Sequence, residues 1–216
     1  MRDSRGSGLT PGSAPLLIAT KNPRKAEELA ALTFGLAGAL ALWAWEAQNG
    51  HSLSEPEETG RTLAANALIK ARAYAKATGL AALADDSGLS VAALGRAPGV
   101  YSARFGGPKL SDRERCLALL RLMRARRDSR AFFITVLALA RPDGRHLLWR
   151  GRLEGRLTRG LAGLGGFGYD PIFRPRNSPL TLAQMSPAQK NAISHRARAA
   201  RAFLADSPRV RDFLGQ

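Results

Sequence analysis

Short apolar runs alternate along the chain with stretches in which apolar residues recur every three or four positions, a pattern of strands interleaved with amphipathic helices. Residues 16–19 read as a short buried strand. Asn22 then suits an N-cap and Pro23 the first position of a helix through Ala26, Leu29 and Leu32. A strand is expected around 40–45 and a polar loop over 48–60. Thr62 fits the cap of a helix carrying Asn66 and Lys70 on one face and ending at Gly79. The apolar run 80–84 stops at Asp85-Asp86-Ser87-Gly88, which predicts a strand ending in a Gly-assisted turn, with another strand over 89–94 and a loop over 95–107. Ser111 and Glu114 form a capping box for a helix with the stripe Cys116, Leu119, Leu120 and Met123. Residues 132–140 and 146–150 read as a hairpin about Arg141-Pro142-Asp143-Gly144, and 151–160 as a partly exposed strand. A Gly-rich loop spans 163–171, and Pro175, Asn177 and Pro179 keep the next stretch in turns. Ser186 and Gln189 form a second capping box, opening a basic helix from Lys190 through His195, Arg196 and Arg201.

Three of these stretches carry candidate chemistry. The strand-to-helix step at Thr20-Lys21-Asn22-Pro23-Arg24-Lys25 offers unpaired N–H groups and a positive dipole end to an anion; a capped surface helix with a solvated Lys25 is the other reading. Adjacent Asp85 and Asp86 repel unless Mg²⁺ or a Lys/Arg pair holds them, although Asp, Ser and Gly also make ordinary solvated turns. The loop Gly163-Leu164-Gly165-Gly166-Phe167-Gly168-Tyr169-Asp170 lets backbone approach a ligand, with two aromatics for stacking, or packs on its own aromatics.

Composition narrows the class. Of 216 residues, 45% are hydrophobic and 23% charged, as in a globular chain able to bury a core. The formal charge of +16 points to an anionic partner or to Arg spread over solvated faces; no Lys/Arg block with interleaved aromatics supports nucleic-acid binding. A single cysteine, Cys116, excludes an intrachain disulfide and a cysteine-rich metal cage, consistent with a cytoplasmic setting. Residues 1–14 read as a disordered extension without the apolar core of a signal peptide. The uncharged run 29–45 approaches the length of a membrane span, but Thr33, Gly35 and Gly38 interrupt it, favouring a helix end, a turn and a buried strand.

Several motifs stand in one order: Thr20-x-Asn22-x-x-Lys25, Glu57-Glu58-Thr59-Gly60, Asn66-Ala67-Leu68-Ile69-Lys70-Ala71, Ala84-Asp85-Asp86-Ser87-Gly88-Leu89, Ala97-Pro98-Gly99-Val100-Tyr101-Ser102-Ala103-Arg104, Gly165-Gly166-Phe167-Gly168-Tyr169-Asp170-Pro171 and Ser194-His195-Arg196. The series resembles the inosine triphosphate pyrophosphatases, which clear aberrant purine nucleoside triphosphates. The resemblance implies an elongated two-lobed α/β fold over residues 15–216, with a central mixed sheet flanked by helices, a nucleotide cleft between the lobes, and a homodimer. It implies Mg²⁺-dependent conversion of ITP, dITP and XTP to the monophosphate and pyrophosphate, in the cytoplasm. On this chain it places the triphosphate on Thr20, Lys21, Asn22, Pro23, Arg24, Lys25 and Lys70. Asp86 would be the proton acceptor and a metal ligand, with Glu58, or Glu57 in its place, as the second carboxylate. Asp85 would support the metal or its waters, and Ser87 would contact substrate. Phe167, Gly168, Tyr169, Asp170, Lys190, His195 and Arg196 would form the base pocket. Lys21 stands where the family usually has Gly, and Ala65 where an acidic residue is common. The competing expectations are a pyrophosphatase for other damaged nucleotides and a basic nucleic-acid-binding protein.

Overall fold

The computed structural model describes residues 15–32 and 39–215. The expected extension over 1–14 and the turn at Thr33, Gly35 and Gly38 lie outside the described residues. The strands are β1 (Leu16–Ile18), β2 (Ala39–Ala41), β3 (Ala82–Val91), β4 (Arg130–Ala140), β5 (His146–Leu157) and β6 (Phe173–Pro175). The helices are α1 (Pro23–Leu32), α2 (Leu42–Asn49), α3 (Leu63–Thr78), α4 (Asp112–Met123), α5 (Pro187–Ile193), α6 (His195–Ala205) and α7 (Ser207–Leu214). One mixed sheet runs in the order β2-β1-β3-β4-β5-β6. Strand β1 is parallel to both neighbours, and from β3 to β6 each strand is antiparallel to the next.

Side-chain alternation on the sheet assigns its two faces. At one end, α3 lays Ala67, Ala71 and Ala75 against Ala82, Ala84, Ala138 and Ala140, and the small residues on both sides allow close helix–sheet contact. The opposite face packs Leu83, Leu137, Leu139 and Trp149 against Leu29 of α1 and Ala199, Ala200 and Phe203 of α6. At the other end a separate core gathers Leu89, Val91, Leu153 and Leu157 with Cys116, Leu119 and Met123 of α4 and with Tyr169 and Phe173. The long strands β3, β4 and β5 run through both cores.

Several elements differ from expectation. Asp85 to Gly88 form no turn: β3 continues unbroken to Val91, and only Ala92–Leu94 turns, as a short 3-10 segment. The Ser-Gly pair is accommodated because every residue from Asp85 to Gly88 pairs with β4, and ladder pairing outweighs turn propensity. Gly88 has a packing reason instead, since a Cβ there would collide with the carbonyl oxygen of Gly99. Residues 40–45 divide between β2 and α2. Strand β5 absorbs the expected strand 151–160 as far as Leu157, burying every second residue. The basic helix breaks at Ser194, whose extended backbone and side chain, accepting from the Ala197 N–H, cap α6 anew. The Thr62 cap, the Gly79 terminus and both capping boxes are present. Among the described residues no helix is long and apolar enough to cross a membrane.

Candidate active site

Strand β1 pairs with β3 only at Leu17 and Ile18, and the same edge is next engaged at Leu89 to Val91 by Ser102, Pro98 and Ala97, so it is open between these points, at Asp85 to Gly88. A cleft of about 910 Å³ occupies the gap, walled by the start of α1, β3, the N-terminal end of α4, the Gly-rich loop and the α5–α6 junction. The two aspartates of β3 divide there. Successive strand residues point to opposite faces, so Asp85 faces α1 and α6 while Asp86 faces α3.

Asp85 is buried and encircled by cations. Its Oδ2 lies 3.3 Å from Lys25 Nζ, accepts from Arg196 Nη2 at 3.2 Å and accepts from the Ser87 hydroxyl at 3.0 Å. Burial alone would raise its pKa, but the charges of Lys25 and Arg196 outweigh that and hold it well below the usual carboxylate range. Through Oδ2 Asp85 thus holds Lys25, Arg196 and Ser87 in place, while its Oδ1 is buried without a partner.

Asp86 takes the other carboxylate function. Lys70 Nζ donates to Glu58 Oε1 at 2.6 Å and to Asp86 Oδ1 at 3.5 Å, leaving Asp86 Oδ2 buried without a partner. Burial pushes the Asp86 pKa up; Lys70 opposes the shift and Glu58 adds to it. Lys70 is itself buried, yet its pKa is raised because Asp86, Asp85 and Glu58 outweigh the desolvation. Asn66, on the same helix face, accepts the Gly60 N–H at 2.8 Å and so ties the acidic loop to α3. Of the neighbouring glutamates, Glu58 lines the cleft and Glu57 points to solvent.

At the start of α1, Thr20 Oγ1 accepts from the Asn22 N–H and Asn22 Oδ1 accepts from the Lys25 N–H, both at 3.2 Å. Thr20, Asn22, Pro23, Arg24 and Lys25 all line the cleft. Lys21 does not; its ammonium pairs with Glu46 at 3.2 Å and donates to Ser52 at 3.0 Å, turned away from the site.

The far wall is a second ion-paired cluster. Lys190 Nζ contacts Asp170 Oδ2 at 2.6 Å and Glu28 Oε1 at 2.7 Å, and Glu28 also pairs with Arg196. The Phe167 ring lies 4.6 Å from Lys190 Nζ and 5.5 Å from the Arg196 guanidinium carbon. His195 stacks on Phe133 with centroids 4.5 Å apart; burial and then the charges of Arg196 and Lys190 push its pKa well down, keeping the imidazole neutral. Tyr169 is a buried wall residue whose hydroxyl donates to the Ser102 carbonyl at 2.9 Å. Gly168 N–H donates to Asp112 at 2.8 Å, which pins the Gly-rich loop to α4.

Glu28, Asp112 and Phe133 belong to this site and were not singled out from the sequence. Glu28 sits three residues after Lys25 on the same helix face, a spacing that could have found it. Asp112 and Phe133 come from distant elements and carry no local signal.

The carboxylates also permit a metal. No group of three or more His, Cys, Asp or Glu among the described residues is arranged to hold one. However, the orphaned Asp86 Oδ2 beside Glu58 suits a hard cation that keeps several waters and takes its other oxygens from a phosphate.

A model of the Ham1 family matches residues 16–206. A dITP/XTP pyrophosphatase of Deinococcus radiodurans is 50% identical over 190 residues, covering 88% of this chain and 91% of that protein. One from Thermus thermophilus is 46% identical over 191 residues, covering 88% and 89%. Among solved structures, a HAM1 protein from Coxiella burnetii matches with a TM-score of 0.79 at 38% identity, covering 88% of this chain and 96% of that one. The Staphylococcus aureus Ham1 protein matches at 0.77 and 35%, covering 89% and 99%.

Proposed function

The chain belongs to the Ham1 family and is a nucleoside triphosphate pyrophosphatase, and we propose that the cleft along the open edge of β3 is where it works. It hydrolyses non-standard purine nucleoside triphosphates to the monophosphate and pyrophosphate. The observation that carries the site assignment is the division of the two aspartates. Each keeps one carboxylate oxygen without a partner, but Asp85 lies behind the wall with its pKa held down by Lys25 and Arg196, whereas Asp86 lines the cleft with a raised pKa.

In this reading Asp86 accepts the proton of the water that attacks the α-phosphorus. Its raised pKa, from burial first and then from Glu58, makes it a better base than an ordinary aspartate. Lys25 and the N-terminal end of α1 hold the phosphate chain, with Thr20, Asn22 and Arg24 along it. Lys70 holds the Glu58 and Asp86 carboxylates together rather than pointing at phosphate. Glu58 and Asp86 would hold Mg²⁺, which when bound supplies charge neutralisation and a lowered pKa for water. Glu57 and Lys21, turned away from the cleft, have no part in this assignment.

The base lies against Phe167, with Lys190, His195 and Arg196 around it. Donors there match the 6-keto oxygen of hypoxanthine or xanthine; adenine presents an amino group, which would leave those buried donors unpaired. A homodimer and a cytoplasmic setting complete the proposal, the former checked by sedimentation velocity.

Pyrophosphate release from ITP, XTP, ATP and GTP, with Mg²⁺ and with EDTA, tests the reading. ITP and XTP should exceed ATP by at least about tenfold, the scale of a lost buried hydrogen bond, and only with the metal; GTP shares the 6-keto oxygen and is not separated by these donors. Equal rates on all four would reject the base assignment.

A further inference from the structure

At the opposite end of α4 from the cleft lies a second cavity of about 550 Å³, sharing no lining residue with the first. Five arginines line it: Arg124, Arg126 and Arg127 following α4, Arg159 just beyond β5, and Arg174 on β6. Arg126 donates to the Ala93 carbonyl at 2.7 Å. The side chains of Arg124, Arg127, Arg159 and Arg174 have no hydrogen bond or ion pair among the described residues. No carboxylate lines the cavity among those residues.

Exposed Arg130 and Arg145 are each paired with a nearby aspartate, whereas here several unpaired guanidinium groups share one cavity. The C-terminal end of α4 gives a local reason for Arg124 to Arg127, since cations complement a helix C-terminus. It gives none for Arg159 and Arg174, which arrive from two other elements. Guanidinium groups do not lose their charge near neutrality, so their gathering at one cavity is relieved only by solvent or by an anion. Several forks around one pit match the oxygens of linked phosphates. Among the described residues the lining has no aromatic side chain on which a base or a single strand could stack; its remaining members are Leu120, Met123, Leu157 and the hydroxyl residues Ser129 and Thr158.

We propose that this cavity is a second anion site, for a base-free oligophosphate of the size of pyrophosphate or tripolyphosphate. Titration calorimetry with inorganic tripolyphosphate, at fixed ionic strength and without divalent metal, tests it on the full chain. The double variant R159A/R174A should bind one tripolyphosphate fewer than wild type. R159K/R174K should keep the second site with affinity weakened by about tenfold, since lysine retains the charge without the fork. ITP hydrolysis should be unchanged in both, because neither residue touches the cleft, and this also reports that the variants are folded. Equal stoichiometry in wild type and the alanine variant would overturn the proposal. Sulfate filling the second site as tightly as tripolyphosphate would overturn the oligophosphate assignment. Displacement of tripolyphosphate by an equal phosphate concentration of oligo-dT would reassign the site to nucleic acid.

Discussion

Two chemically identical side chains one residue apart have different properties in this protein, and the pleat of a strand is the cause. Asp85 is turned toward Lys25 and Arg196, and Asp86 toward Lys70 and Glu58. Replacing each by asparagine should therefore fail differently. Asp86→Asn should keep the melting temperature near wild type and lower kcat by about 100-fold or more, the usual contribution of a positioned base. Asp85→Asn leaves Lys25 and Arg196 short of a buried counter-charge and should cost about 3 kcal/mol in denaturant unfolding, on the scale of broken buried pairs. The pKa of Asp85 is depressed by folding, so its stabilisation is complete above the unfolded value of about 4 and fades as pH falls below it. Melting curves between pH 3 and 7 should thus be flatter at the acid end in Asp85→Asn than in wild type. Asp86 has the opposite sign. Its pKa is raised, by burial first and by Glu58, against the opposing charge of Lys70. Carboxyl ¹³C titration of the metal-free protein should find Glu58→Gln moving it down and Lys70→Met moving it up. Shifts of reversed sign would remove Asp86 from the base role.

At the scale of elements, legibility followed whether the signal was local. The Asn22-Pro23 start of α1, the Thr62 cap and the capping boxes at Ser111 and Ser186 were readable because each rests on bonds made within four residues. The continuity of β3 through Ser87-Gly88 was not, because it depends on β4, about fifty residues away. The cleft residues Thr20, Lys25, Asp86, His195 and Arg196 were recoverable from motif order, and Lys190 from the resemblance that order carried. Lys21 and Glu57 sit beside those motifs but face elsewhere, and a motif does not state orientation. The break at Ser194 matters most for the site, because it starts α6 with His195 and Arg196 directly over β5. That approach requires Gly151: a Cβ there would collide with the His195 carbonyl oxygen and the Ala199 nitrogen. Gly151→Ala should push the first turn of α6 off the sheet, costing about 1–3 kcal/mol as overpacking does. The KM for ITP should rise as His195 and Arg196 move. Thermal unfolding and steady-state kinetics check the pair of effects, and a normal KM in a folded variant would refute the coupling.

For the whole molecule the question is what the charge of +16 does. It is not concentrated where the substrate is proposed to bind. Among the described residues six Lys and Arg side chains line the cleft (Arg24, Lys25, Arg104, Arg115, Lys190 and Arg196), and five acidic ones accompany them (Glu55, Glu58, Asp86, Asp112 and Asp170). Buried Asp85 and half-buried Glu28 behind that wall hold Lys25, Lys190 and Arg196 in ion pairs. A triphosphate entering this cleft meets almost as much negative as positive charge, so its binding must rely on short-range contacts and on the divalent cation that accompanies it. Short-range contacts between desolvated groups are poorly screened, whereas steering by a charged surface is screened within a Debye length. Raising NaCl from 50 to 500 mM at constant Mg²⁺ should therefore lower kcat/KM for ITP by no more than about threefold, well short of the loss expected for charge-steered association. A drop of tenfold or more would mean that the outer arginines guide the nucleotide inward, and the surface charge would then belong to the catalytic cycle rather than to other partners.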